Sequence, residues 1–98
     1  MTSSALRIDE LEFDEHNEEE LARHGIDPPE VYAVLAGQPV LVRNKRRRAA
    51  TYKVIGPDSS GAMLTIAIAA TRVRRRWRPV TGWPSTSGEV TLWRKAYA

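Results

Sequence analysis

Ninety-eight residues make one domain with a modest core and a thin margin of stability. The chain has no cysteine, which excludes disulfide frameworks and thiolate metal sites and suits a reducing compartment. A net charge of +3 hides a division: residues 1–30 hold ten acids against Arg7 and Arg23 and sum to −8, whereas residues 31–98 hold thirteen bases against Asp58 and Glu89 and sum to +11.

Leu6, Ile8, Leu11 and Phe13 alternate loosely and predict a short first strand. Asp14 reads as a helix N-cap, and the acids that follow suit the positive end of a helix dipole. This helix runs to Arg23 or His24 and stops at Gly25. Its apolar stripe is little more than Leu21 and Ala22, so it lies on the surface with Glu18, Glu19 and Glu20 in water. Asp27 and Glu30 have capping-box spacing and open a second helix, with Pro28 and Pro29 in its first positions. Val31, Val34 and Leu35 form its core face. Gly37 ends it, and Pro39 prevents resumption.

The apolar period then changes to two. Residues 40–43 read as a strand, Asn44 to Arg48 as a basic turn, and 49–55 as the next strand. Residues 56–61 carry the Gly, Pro, Asp and Ser of a hairpin loop. Residues 63–70 set Leu64, Ile66 and Ile68 against Thr65, Ala67 and Ala69, so both faces suit a central strand. Residues 72–81 read as the fourth strand of this meander, 84–88 as a break, and 89–96 as a short C-terminal helix. The predicted class is α+β: a small antiparallel sheet, two N-terminal helices and a short C-terminal helix, with the helices on one face and the other face partly open.

No apolar run reaches the roughly 20 residues of a membrane span, and the N-terminus lacks the order of a signal peptide. A cytoplasmic protein without a membrane partner is expected. Arginine outnumbers lysine twelve to three. The guanidinium fork binds phosphate and stacks on bases, which favours nucleic acid, although a GC-rich genome also enriches arginine. Strict alternation puts Arg74, Arg76 and Arg78 on one face of the fourth strand. Unpaired charge is too costly to bury, so this row faces solvent or a ligand. Contact with a polyanion is the sharper reading, and charges that deter edge pairing are the bland one. Lys53 and the turn Lys45, Arg46, Arg47 and Arg48 reach the same surface if these strands are neighbours.

Alternation points Trp77 away from Arg76 and Arg78, toward the helices. Trp83 is equally suited to core packing or to stacking on single-stranded RNA bases. Trp93 suits helix packing or a partner anchor. His24 has the chemistry of a general acid or base, but at a helix end its ordinary role is to cap carbonyls. His16 reads as a surface residue. Two histidines eight apart give no zinc spacing, the N-terminal acids form no calcium loop, and no glycine-rich phosphate loop occurs, so no cofactor or metal is expected.

The run Phe13-Asp14-Glu15-His16-Asn17, then Leu21, Arg23-His24-Gly25-Ile26 and Pro29-Glu30-Val31, resembles the opening of the BrnT toxins. Those open with an aromatic–Asp–Glu element, a short helix and a basic–His–Gly–aliphatic turn. Tyr52-Lys53-Val54-Ile55-Gly56 and Leu64-Thr65-Ile66 look like the strand–Gly–turn–strand of that family. Trp77-Arg78-Pro79-Val80-Thr81-Gly82-Trp83 stands in the place of its arginine-containing strand, with Gly82-Trp83 where BrnT proteins carry a second arginine. The likeness spans about residues 6–95.

The resemblance implies a RelE-like fold and an RNA endonuclease that halts translation. It also implies a cognate antitoxin that blocks the toxin and co-represses the operon. The expected chemistry is metal-independent attack of a ribose 2′-OH on the adjacent phosphate. Arg78 and Arg48 would stabilise the phosphate charge, with Lys53 as a further cation or an acid–base group. The resemblance carries the base-or-acid role to His24. Thr81 would orient the phosphate, provided a bulge at Pro79 turns it to the face of Arg78. Lys45, Arg46, Arg47, Arg74, Arg76 and Trp83 are the expected RNA contacts. The alternative is a non-catalytic module that binds RNA or the ribosome with the same arginines, and a third reading is a purely protein-binding element.

Overall fold

A computed structural model gives the fold and describes residues 8–44 and 52–97. The elements are β1 (Glu10–Leu11), α1 (Glu15–Ala22), α2 (Pro28–Ala36), β2 (Val40–Arg43), β3 (Tyr52–Pro57), β4 (Met63–Ala70), β5 (Arg76–Pro84) and α3 (Ser87–Tyr97). The chain is α+β, and its five strands lie in the order β1-β5-β4-β3-β2.

Strands β2 to β5 form an antiparallel meander. β1 instead lies parallel to β5, with Glu10 opposite Arg76 and Leu11 opposite Trp77. The sheet is therefore mixed, not the antiparallel sheet that the sequence predicts. Two helices separate β1 from β2 and free it to join the last strand at the far edge. Its direction comes from that distant pairing and not from its own residues.

Local chemistry sets the helix ends. Asp14 Oδ1 accepts from the Asn17 amide at 2.9 Å, and Asn17 Oδ1 accepts from the Asp14 amide at 2.8 Å, a reciprocal cap on α1. Gly25 has φ +75, a conformation that favours glycine. The reversal lets the Ile26 amide donate to the Leu21 carbonyl at 3.1 Å, and Ile26 enters the core. Glu30 Oε1 accepts from the Asp27 amide at 3.0 Å at the start of α2.

The main core lies between one sheet face and the pair α1 and α2. It contains Leu21, Ile26, Val31, Val34, Val54, Leu64, Ile66, Ile68 and Trp77. Each such side chain contributes roughly 1.5–3 kcal/mol when buried. Trp77 packs edge-on against Tyr52 at 5.7 Å between ring centroids, on the helix side as its alternation predicts. Gly82 faces the same layer. A Cβ there would come 2.9 Å from Ile66 Cδ1 and 3.2 Å from Ile26 Cδ1, so glycine lets α1 and its exit turn sit close to β5.

The other face carries Lys53 and Ile55 of β3, Thr65, Ala67 and Ala69 of β4, and Arg78, Thr81 and Trp83 of β5. α3 lies on this second face, over β2 and β3. The sequence reading placed all helices on one side, and this helix departs from it. Glu89 explains the docking: it is buried and bonded to Lys53, Thr65 and Trp83, all of which point to this face. Trp93 Nε1 donates to the Gln38 carbonyl at 2.8 Å, and the Tyr97 hydroxyl donates to the Pro39 carbonyl at 2.7 Å, which pins the far end of α3.

β5 begins at Arg76, not at Arg72. Residues 71–75 form a turn in which Thr71 Oγ1 accepts from the Val73 amide at 3.1 Å and donates to the Arg76 carbonyl at 2.8 Å. Arg75 adopts φ +67 to close it. The threonine offers the backbone a local partner that competes with the ladder. Arg74 therefore sits in the turn, out of the row with Arg76 and Arg78. At the other end β5 runs on to Pro84.

Candidate functional site

The register of β4 on β5 contains one extra residue. Thr81 opposes Ala67 and Pro79 opposes Ile68, which leaves Val80 as a bulge. Strict alternation would send Thr81 to the face opposite Arg78. The bulge brings it to the same face, beside the proline where the sequence reading required one. Asn17 of α1 stabilises this break. Its Nδ2 donates to the Pro79 carbonyl at 2.8 Å and to the Glu12 carbonyl at 3.0 Å, and the side chain is buried.

An open pocket of about 470 Å³ forms where α1 meets the bulge, lined by His16, Asn17, Glu20, Ala69, Arg78, Val80 and Thr81. The Thr81 hydroxyl donates to Glu20 Oε2 at 2.8 Å. His24 Nε2 lies 3.5 Å from the same oxygen, and Arg23 Nη1 lies 3.1 Å from Glu20 Oε1. The Thr81 hydrogen bond, with the charges of Arg23 and His24 nearby, holds the Glu20 carboxyl below its ordinary value. Thr81 and His24 are thus joined through Glu20, which the sequence reading left as a solvated surface acid. The i, i+4 spacing of Glu20 and His24 is the signal that points to this pair.

Arg78 is held by carboxylates. Asp14 takes both prongs of its guanidinium at 2.6 and 3.1 Å, and Glu12 Oε2 lies 3.6 Å from Nη1. These contacts raise the Arg78 pKa further and hold the Asp14 carboxyl at about 2. Arg76 Nε lies 3.5 Å from Glu12 Oε1, an ion pair without hydrogen-bond geometry. Arg75 pairs with Asp9 at 3.8 Å. The acids around β1 therefore sit against the arginines that lead into β5, and the opposed charges of the two chain segments meet at this sheet edge. Arg72 and Arg74 are exposed and make no ion pair among the described residues.

Lys53 stands on the same face as Thr81 and in the same cross-strand row, with Ala67 between them. Two strand spacings put their Cα atoms ~9.6 Å apart. Its ammonium lies 3.3 Å from Glu89 Oε2. Trp83 Nε1 donates to Glu89 Oε1 at 3.1 Å, so the indole is fixed at the base of α3. Burial works to raise the Glu89 pKa, yet donation from the Thr86 amide, Thr65, Trp83 and Lys53 holds it below its ordinary value.

Of the sequence-predicted site residues, Arg78 and Thr81 line one pocket, His24 reaches it through Glu20, and Lys53 shares the face. Arg76 sits at the edge with Glu12, Arg74 lies in the preceding turn, and Trp83 belongs to the Glu89 cluster. Lys45, Arg46, Arg47 and Arg48 lie outside the described residues. Among the described residues no group of three or more His, Asp or Glu side chains is placed to hold a metal ion, and no helix is long and apolar enough to cross a membrane. Comparison of the chain with family models, with curated proteins and with solved structures yields no match.

Proposed function

We propose that this domain is a RelE/BrnT-like toxin of a toxin–antitoxin pair, a metal-independent endoribonuclease that acts on mRNA in the cytoplasm and is restrained by a cognate antitoxin. The observation that carries the reading is the β5 bulge. It turns Thr81 toward the face of Arg78 and Lys53 and docks it on Glu20, next to His24. Arg78 and Thr81 then line one pocket, with His24 joined to it through Glu20 and Lys53 on the same sheet face.

In this scheme a phosphate of single-stranded RNA displaces Asp14 from the Arg78 fork. Arg78 and Lys53 stabilise the charge of the phosphorane, the largest contribution expected of such a site. Glu20 faces His24 Nε2 and leaves Nδ1 to take the proton of the 2′-OH. The 2′-oxygen bonds to phosphorus, and the bond to the 5′-oxygen breaks. That oxygen leaves with a proton from Lys53, and the product end is a 2′,3′-cyclic phosphate. Arg72 and Arg74 supply phosphate contacts beyond the site, and the ribosome is a candidate carrier of the mRNA.

A second reading, a non-catalytic RNA- or ribosome-binding module, is favoured by one observation: Arg78 and Lys53 are each already matched to a carboxylate. One experiment separates the two. The purified chain is incubated with a defined single-stranded mRNA in EDTA, beside Arg78→Lys and Thr81→Val. The ribonuclease reading expects cyclic phosphate ends from the wild type and a loss on the order of 100-fold in Arg78→Lys, because lysine keeps the charge without the fork. A requirement for magnesium ends the proposed chemistry. Salt-sensitive binding without cleavage, also in the presence of ribosomes, moves the assignment to the binding module.

A further inference from the structure

Glu89 divides its two oxygens between two tasks. Oε1 accepts from the Thr86 amide at 2.9 Å, the Thr65 hydroxyl at 2.9 Å and Trp83 Nε1 at 3.1 Å. The Glu89 amide in turn donates to Thr86 Oγ1 at 3.2 Å, which completes a capping box at the start of α3. Oε2 takes the Lys53 ammonium at 3.3 Å. A helix cap needs one carboxylate oxygen, and at the start of α3 Oε1 fills that role. The lysine contact is additional.

An exposed ion pair orients its partners only where one of the two is anchored by further bonds. Glu89 is anchored in this way because the donors to Oε1 come from β4, from the end of β5 and from Thr86, the residue that caps α3. The carboxylate cannot turn, so Oε2 is a fixed acceptor for a side chain with much rotamer freedom. On its own sheet face Lys53 is flanked across the strands by Val42 and Ala67, both neutral. Glu89 faces it from α3, and Arg78 stands two strands away. An ammonium has three N–H donors, and one bond to Oε2 leaves two for phosphate oxygens.

We infer that Glu89 is a positioning residue that holds the Lys53 ammonium on the Thr65–Trp83 side of its row, where it takes a phosphate of single-stranded RNA that crosses this face from Arg78. The choice of RNA rests on the function proposed above. Lys53 and Arg78 are then oriented alike, Arg78 by the N-cap of α1 and Lys53 by the first turn of α3.

The test uses the full chain and a 2′-O-methyl oligoribonucleotide, which offers phosphates and bases but has no free 2′-OH to attack. The readout is the 15Nζ–1H NMR signal of Lys53, which survives exchange with water when the ammonium is held. In the wild type the signal is present and shifts on saturation with the oligonucleotide. Glu89→Gln keeps Oε1 and replaces Oε2 with a nitrogen that cannot accept. The Lys53 signal is then lost while the Trp83 indole signal stays. On cleavable RNA, kcat falls by about tenfold, on the scale of a misplaced group, whereas oligonucleotide affinity does not weaken. Such a split is not what a loosened fold produces.

A Lys53 signal that persists in Glu89→Gln overturns the inference, as does wild type that binds the oligonucleotide without moving that signal, or an unchanged kcat. Lys53→Met leaves all three Oε1 contacts in place and serves if Glu89→Gln does not fold; it is expected to weaken oligonucleotide binding while the Trp83 indole signal stays, and unchanged binding counts against the inference. If the Lys53 signal shifts on binding and RNA is still left uncut, the ribonuclease reading fails and the positioning role stands.

Discussion

Arg78 and Asp14 meet as a two-pronged ion pair, Nη1 at 2.6 Å from Oδ2 and Nη2 at 3.1 Å from Oδ1. The same Asp14 Oδ1 caps α1 through the Asn17 amide. One carboxylate thus fixes the start of a helix and the direction of a cation on the neighbouring strand. Asp14 is well exposed, so solvent screens the pair and its main effect is geometric. The guanidinium is presented in one orientation, with a carboxylate where a phosphate would bind.

The pair makes stability depend on acid. Asp14 sits at about 2 because Arg78 hydrogen-bonds its carboxylate, with the Asn17 amide adding to the effect. The folded-state pKa is below the unfolded one. The contribution is therefore complete above the ordinary aspartate value and is lost as pH falls from about 4 to about 2. Thermal melts across that window are expected to show Tm falling in the wild type and a flatter profile in Asp14→Asn.

Asp14→Asn also tests the competition with phosphate. Removal of the negative charge leaves Arg78 with Glu12 at 3.6 Å as its remaining acid and opens the fork to an anion, so binding of a single-stranded oligonucleotide tightens and depends more steeply on salt. Fluorescence anisotropy at several salt concentrations measures both. Weaker binding in the variant argues that Asp14 does not occupy the phosphate position.

Asn17→Ala removes the donor to the Glu12 and Pro79 carbonyls and leaves the carbonyl beside the bulge without its partner. A loss of about 1–3 kcal/mol is expected in urea unfolding. Because the bulge sets the face of Thr81, activity is expected to fall even under conditions where the variant is folded.

Gly82→Ala forces a methyl toward Ile66, the Thr65 carbonyl and Ile26. Overpacking of this kind costs about 1–3 kcal/mol. Gly88→Ala meets no atom closer than 4.0 Å and serves as the control. Equilibrium unfolding of the two variants is expected to separate them clearly.

Thr81→Val keeps the shape and removes the hydroxyl that donates to Glu20. Glu20 is expected to titrate closer to an ordinary glutamate, measurable by carboxyl 13C NMR. Its stabilising contribution, present above the ordinary glutamate value and lost as pH falls through the lowered one, shrinks accordingly.

Much of this fold was legible residue by residue. Asp14 and Gly25 mark the ends of α1, Asp27 with its two prolines opens α2, and alternation in Leu64, Ile66 and Ile68 identifies a core face. Trp77 is buried on the predicted side. These signals act within about four residues, where caps, turns and side-chain period are decided by the chain itself. The α+β class follows from their order.

The candidate site was legible only in part, because its geometry depends on contacts between distant segments. Alternation counted along 72–81 could not know that Thr71 and Arg75 make a turn or that Val80 is an extra residue in the ladder. Charge counts separated an acidic segment from a basic one but could not show Asp14 and Glu12 gripping Arg78, which lies more than sixty positions later. Nor could they show Glu89 drawing α3 to the second face.

The sequence by itself determined where helices and strands begin, which side chains are apolar enough for a core, and which residues carry charge. Tertiary structure alone decided that β1 runs parallel to β5, that the bulge turns Thr81 to Glu20, and that Arg78 and Lys53 are matched to Asp14 and Glu89. The physical reason is range. Propensity and capping are local, whereas register, pairing direction and charge compensation depend on which distant surfaces fit when the core closes.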